Sequence, residues 1–227
     1  MSLKAIFLNC TLKESPKTSN TRALIDKSVE EFHDLGVETE VLRPVDYNIE
    51  FGVTSDEGEE DEWPQILDKI KESDILVIGT PIWFGLRSSV AQLVMERLDG
   101  TYEEMDPETG QFPLYNTVGG VIVTGNEDGA HETAASTLFN LSHLGCTIPP
   151  NADSYWVGKA GPGPSYRDAG GENHMYTNKT VRFMTHNLYH FAERLQEKPI
   201  DTNLNELIEE AKKDSGECPE DEPCLNG

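Results

Sequence analysis

Three short stretches of this chain carry residue types that could hold a ligand. The first is Asn9-Cys10-Thr11-Leu12-Lys13-Glu14-Ser15-Pro16-Lys17-Thr18-Ser19-Asn20-Thr21. It runs into a segment with helical apolar spacing. A helix N-terminus offers free backbone N–H groups and the positive end of the dipole to a phosphate. Ser19, Asn20 and Thr21 add side-chain donors, and Lys13 and Lys17 add positive charge. A plain helix cap by Ser19 or Asn20 would also account for these residues. The stretch is neither a Gly-x-x-x-x-Gly-Lys-Ser/Thr loop nor a Gly-x-Gly-x-x-Gly fingerprint. The second stretch is Thr80-Pro81-Ile82-Trp83-Phe84-Gly85. Pro81 fixes its own φ and Gly85 frees the backbone, so the turn can be held rigid with Trp83 and Phe84 offered to a flat ligand. The plainer alternative packs both aromatics into the core. The third is Thr124-Gly125-Asn126-Glu127-Asp128-Gly129, where Gly125 and Gly129 allow backbone to approach a planar ring; ordinary turn chemistry is its alternative.

The elements that must position these stretches follow from periodicity. Lys4–Asn9, Val37–Leu42, Ile75–Gly79 and Thr117–Thr124 read as strands, with a fifth inside Cys146–Trp156. Helical spacing marks Thr21–Leu35, Trp63–Glu72, Ser88–Leu98, Ala130–Leu144 and Asn173–Leu195, with one more short helix over Leu204–Lys213. Strands alternating with helices predict an α/β three-layer sandwich: a five-stranded parallel sheet with helices on both faces. In a 2-1-3-4-5 sheet the three stretches share one edge, at the point where strand order reverses. Residues 1–200 read as one domain, followed by an acidic extension over 201–227 that is partly disordered.

The 227 residues carry a formal net charge of −23, which argues against nucleic acid or an anionic membrane surface as a partner. No apolar run approaches a transmembrane span, and the N-terminus does not read as a signal peptide, so a cytoplasmic protein is expected. Cys10 and Cys146 read as small core residues. Cys218 and Cys224 lie in the acidic tail at a spacing that matches no zinc or thioredoxin-like pattern. His186 and His190 are four apart, but no third metal ligand accompanies them. His131 and Glu132 read as helix-start polar residues, and the acidic run Asp56–Glu62 as a solvated loop without calcium-loop spacing.

Taken in order, Thr11-x-Lys13 before Ser19-Asn20-Thr21, then Thr80-Pro81-Ile82-Trp83-Phe84-Gly85, then Thr124-Gly125-Asn126 resembles the NAD(P)H-dependent FMN reductases of the flavodoxin superfamily. The resemblance covers roughly residues 4–195, and its middle motif is the most specific. Thr11 and Lys13 stand where many members have Ser and Arg. The resemblance implies a flavodoxin-like fold and a non-covalent FMN. The FMN phosphate would lie on Thr11, Ser19, Asn20 and Thr21, with Lys13 nearby. Its ring would lie against Pro81, Ile82, Trp83, Phe84 and Gly85, and against Thr124, Gly125 and Asn126, with Gly129 closing the third loop. It further implies NAD(P)H as co-substrate, a small-molecule acceptor and a homodimer or homotetramer. No catalytic acid or base is assigned, because the cofactor carries the chemistry. Arg87 is a candidate for meeting a nicotinamide-cofactor phosphate, and the 158–171 loop, with Tyr155, Trp156 and Tyr166, for completing a neighbour's pocket. A one-electron carrier and a flavin-free scaffold are the competing expectations. The carriers show a tighter Thr-Gly-Asn-Thr phosphate loop that this chain lacks, which favours the enzyme.

Overall fold

The computed structural model describes residues 2–161 and 163–215. In chain order these form β1 (Lys4–Asn9), α1 (Asn20–Asp34), β2 (Glu38–Leu42), α2 (Trp63–Lys71), β3 (Ile75–Trp83) and β4 (Leu86–Arg87). There follow α3 (Ser89–Asp99), β5 (Val118–Gly125), α4 (Ala130–His143), β6 (Asp153–Val157), α5 (Met175–Glu197) and α6 (Leu204–Ser215). The parallel strands run β2-β1-β3-β5-β6, which is the expected order once the two-residue β4, antiparallel to β3, is set aside.

Strand side chains alternate between the two faces, and each face meets its own helices. Ala5, Phe7, Ile75, Val77, Val118 and Ile122 pack with Leu24, Ile25 and Phe32 of α1 and Val181, Met184 and Leu188 of α5. Ile6, Leu8, Leu76, Ile78, Val121 and Val123 pack with apolar residues of α2, α3 and α4, among them Trp63, Val94 and Leu141. The flavodoxin-like three-layer sandwich is thus built from two separate apolar layers. Cys10 and Cys146 sit in the second layer, and burial pushes the Cys146 thiol up to about 12 and the Cys10 thiol higher still.

Two expectations need correction. Thr80–Trp83 is the tip of β3, not a turn; the strand continues past Gly79 because Thr80 and Pro81 keep pairing with Val123 and Thr124 of β5. The ladder to β1 stops at Asn9–Gly79, so β3 has an open edge at Pro81, the position at which a strand tolerates proline. The reversal comes later, at Phe84 (φ 50°) and Gly85 (φ 79°), between the pairs Trp83–Leu86 and Ile82–Arg87. That is a two-residue hairpin loop with both central residues at positive φ. The acidic run is not wholly solvated either. Asp61 is buried against the fully buried Arg97 at 2.6 Å. Its carboxylate also accepts from the amides of Glu50, Glu57 and Trp63. Arg97 in turn donates to the carbonyls of Glu50 and Thr54 and lies 5.7 Å from the Trp63 ring centre. The segment before α2 is therefore folded around one ion pair.

Beyond residue 200 the chain holds a helix, α6, with no buried residue. Its start is tied to the 106–111 loop: Leu204 N donates to Thr109 O at 2.7 Å, and the Gln111 side chain donates to the carbonyls of Ile200 and Thr202. Ser215 closes that helix, and the remainder of the extension expected to be partly disordered, with Cys218 and Cys224, lies at 216–227, outside the described residues.

Candidate functional site

A cavity of about 270 Å³ opens beyond the carboxyl ends of β1, β3 and β5. This is where the direction of strand order reverses, the usual ligand position in an open parallel sheet. Its lining includes Thr11, Lys13, Asn20 and Thr21 from the first stretch, Pro81, Ile82 and Trp83 from the second, and Thr124, Gly125 and Asn126 from the third. Folding thus brings ten of the anticipated residues to one wall.

The first loop is shaped by contacts around its back. The Arg43 guanidinium donates to the carbonyls of Lys13 (3.1 Å) and Lys17 (3.0 Å), and Asp46 accepts from the Ser15 amide and hydroxyl. The Lys13 ammonium donates to Thr18 O at 3.3 Å. Ser19 caps α1, its hydroxyl accepting from Arg22 N at 3.1 Å and donating to Asn9 Oδ1 at 3.2 Å. That leaves the first-turn amides of Asn20 and Thr21, which have no partner within a helix, at the cavity. Thr21 and Thr124 share a hydroxyl–hydroxyl bond of 2.8 Å, which joins the first stretch to the third. The second stretch is held from below: Thr80 Oγ1 accepts from Ser88 N, and the Ser88 hydroxyl, which caps α3, donates to Cys10 O at 2.6 Å.

Four anticipated residues stand off the cavity wall. Ser19 is buried as the cap. Phe84 is 97% exposed at the hairpin tip, because positive φ at its position turns the side chain away from the sheet. Gly85 and Gly129 pack backbone to backbone; a Cβ on Gly129 would lie 2.3 Å from Gly85 O. They fix the hairpin against the β5–α4 loop. Arg87, the nicotinamide-phosphate candidate, is held within its own fold by Asn140 Oδ1 and Gln92 Oε1, both at 2.7 Å. His131 meets the Tyr155 hydroxyl at 3.0 Å.

The 158–171 loop, anticipated as a neighbour's contribution, lines the cavity of its own chain through Ser165 and Tyr166. Asn126 holds it by donating to Gly163 O at 2.8 Å and accepting from Gly161 N, and Asn20 Oδ1 accepts from Arg167 N. Trp156 and Tyr166, in edge-to-face contact with ring centres 5.5 Å apart, complete the wall with Leu12 and Glu127. The aromatics of this loop were visible in the sequence, but nothing local says on which molecule's site they close.

The donor set fits a flavin phosphate. Thr11 and Thr21 bring hydroxyls, Asn20 an amide and Lys13 an ammonium to the cavity wall, which Glu127 of the third stretch also lines. Pro81, Ile82, Trp83, Trp156 and Tyr166 make the remainder largely apolar. The Tyr166 hydroxyl is buried with no partner among the described residues, and burial pushes it up to about 12. No group of three or more His, Cys, Asp or Glu among the described residues could hold a metal, and no described helix is long and apolar enough to cross a membrane.

Comparison with known proteins agrees with this geometry. Residues 3–160 match the family described as NADPH-dependent FMN reductase. The 8-demethyl-8-aminoriboflavin-5'-phosphate synthase of Streptomyces davaonensis is 46% identical over 224 residues, covering 95% of this chain and 87% of that protein. A divalent metal cation transporter of Mycobacterium bovis is 44% identical over 200 residues, 86% of this chain but 29% of that protein. Among solved structures, RosB with bound 8-demethyl-8-formylriboflavin-5'-phosphate superposes with a TM-score of 0.89 at 43% identity, covering all of this chain and 93% of that one. The chain belongs to the NADPH-dependent FMN reductase family and is a flavodoxin-like flavoprotein oxidoreductase whose cofactor is FMN.

Proposed function

We propose that the protein is an NAD(P)H-dependent FMN reductase of the quinone-reductase kind. Bound FMN would supply two-electron chemistry, by which a hydride from the nicotinamide and a proton from solvent would reach a small acceptor such as a flavin or quinone, leaving NAD(P)+ and the reduced acceptor. Thr11, Asn20, Thr21 and the helix amides would hold the phosphate, with Lys13 supplying the countercharge in a strongly anionic chain. Pro81, Ile82 and Trp83 would flank the ring, and Gly125 would let the β5 backbone approach it. Trp156 and Tyr166 exclude water from the same cavity. The observation that carries this reading is that residues of all three stretches, Lys13 and the Thr and Asn donors with Pro81, Ile82 and Trp83, line one cavity at the strand-order switch. The residue roles, the 1–200 domain boundary, a cytoplasmic location and a homodimer or homotetramer belong to the same proposal.

The test is anaerobic mixing of the FMN-loaded protein with NADPH or NADH while flavin absorption is followed. Prompt bleaching is expected, and bands that persist with both nucleotides would refute it in favour of an electron carrier.

The extent of similarity to the Streptomyces synthase supports a second reading, in which a flavin phosphate is the substrate and its ring is altered. Mass analysis of flavin recovered after turnover separates the two. Unchanged FMN supports the reductase, and a changed ring mass supports the flavin-modifying activity.

A further inference from the structure

Two surfaces outside the cavity lining are unusual for this chain. The first is the outer face of α5. Residues 175–192 contain neither Asp nor Glu, although the chain has 41 of them. That face presents Met175, Tyr176, Lys179, Arg182, Phe183 and His186 to solvent, with Arg182 paired to Glu31 of α1 at 2.8 Å and His186 3.7 Å from the same carboxylate. Lys179 lies over the rings of Tyr176 (4.7 Å) and Phe183 (5.9 Å), so the patch is both aromatic and cationic. The second is α6. Its apolar residues Leu204, Leu207, Ile208 and Ala211 recur at helical spacing, yet Leu207 and Ile208 are half exposed and nothing on the helix is buried. Glu206, Glu209, Glu210 and Asp214 share the helix with Lys212 and Lys213, which leaves it two charges negative. A short helix of this kind gains most of its stability from packing an apolar face, and among the described residues Leu204 alone of this stripe is partly covered, beside Gly110.

We infer that α6 of one copy docks on the outer face of α5 of a second copy. Both surfaces combine exposed apolar side chains with charge: with Glu31 counted, Lys179 and Arg182 leave the α5 face net positive, and α6 is net negative. Chains of net charge −23 repel one another, so a contact between copies needs a locally basic patch, and the acid-free stretch of α5 supplies one. The bonds that place α6 in its own chain go to the 106–111 loop, through Leu204 N and the side chains of Asn203 and Asn205, and leave its apolar stripe outward. Exchanged reciprocally, the contact occurs twice in a closed two-fold dimer.

The test is light scattering of the full chain at tens of micromolar, in moderate and high salt, with melting temperature and bound-flavin absorption as controls. A dimer or a multiple of one is expected. Phe183→Glu on α5 and Ile208→Glu on α6 should each weaken association at least about tenfold, or roughly 1.4 kcal/mol. Both positions are exposed, so melting and flavin absorption should not change. Lys179→Glu should weaken the assembly, and adding Glu206→Lys and Glu210→Lys should restore it. In a background with Cys218→Ser and Cys224→Ser, differently tagged copies carrying Phe183→Cys and Ile208→Cys should form a mixed disulfide. A monomeric wild-type chain, an assembly indifferent to Phe183→Glu, or absence of the mixed disulfide would each overturn the inference. None of these outcomes bears on whether FMN is bound.

Discussion

At the scale of single residues, the cavity wall divides into groups that are already bonded and groups that await a ligand. Lys13 is a charge near the polar end, with one long bond to Thr18 O. Lys13→Ala should weaken FMN binding about tenfold and flatten its dependence on salt, because one phosphate countercharge is lost; titration of flavin fluorescence at several ionic strengths measures both. Tyr166 is the opposite case. Its hydroxyl is buried without a partner among the described residues, at a cost on the order of 1–3 kcal/mol. Tyr166→Phe should leave the flavin-free protein as stable as before, or more stable by about 1 kcal/mol. A loss of stability in urea unfolding would mean that the hydroxyl has found a partner.

At the scale of elements, the two corrections to the expected fold show what local sequence leaves out. The Asp61 carboxyl, ordinarily near 3.8, is held at about 2. Burial alone would raise it, but the Arg97 guanidinium and the amides of Glu57, Trp63 and Glu50 outweigh burial. A carboxyl lowered on folding stabilises the protein above its unfolded value and loses that contribution as pH falls from near 4 through 2. The amount is about 2 kcal/mol. Asp61→Asn should remove this part of the acid unfolding transition, read as a smaller change in urea stability between pH 5 and pH 2. Arg97→Ala should cost about 3–5 kcal/mol at neutral pH, because it strands a buried carboxylate. Both residues are plain in the sequence. Their pairing is not, since Arg97 reads as a polar position of α3 and Asp61 as one acid among many. The hairpin makes the same point. Gly129→Ala would place a Cβ in the backbone of Gly85 at a φ of 118°, so the hairpin must shift. Loss of stability together with a changed Trp83 emission spectrum would report that movement.

At the scale of the whole molecule, charge is the dominant feature. A net −23 on 227 residues repels itself and opposes an anionic cofactor. Raising salt from low to molar levels should therefore raise the melting temperature of the flavin-free protein, as self-repulsion is screened. A melting temperature that falls with salt would show that ion pairs such as Lys69–Glu40 and Arg22–Asp26 outweigh the repulsion.

The sequence by itself marked the alternating strands and helices, hence the layers, and the three loop stretches; the 2-1-3-4-5 order was an expectation for a sheet of that class. The elements and stretches depend on short-range patterns: apolar runs along Lys4–Asn9 and Ile75–Gly79, alternation along Val37–Leu42, helical spacing in α1 and α5, and the order in which polar, aromatic and glycine-rich loops follow strands. Only the tertiary structure decided what each residue in those loops does. Ser19 became a cap, Phe84 turned to solvent, Gly85 and Gly129 met each other, and Tyr166 closed the cavity of its own chain. Each of these outcomes depends on a contact between residues distant in sequence, or on a backbone angle set by such a contact, and neither is encoded in the spacing of residue types along one segment.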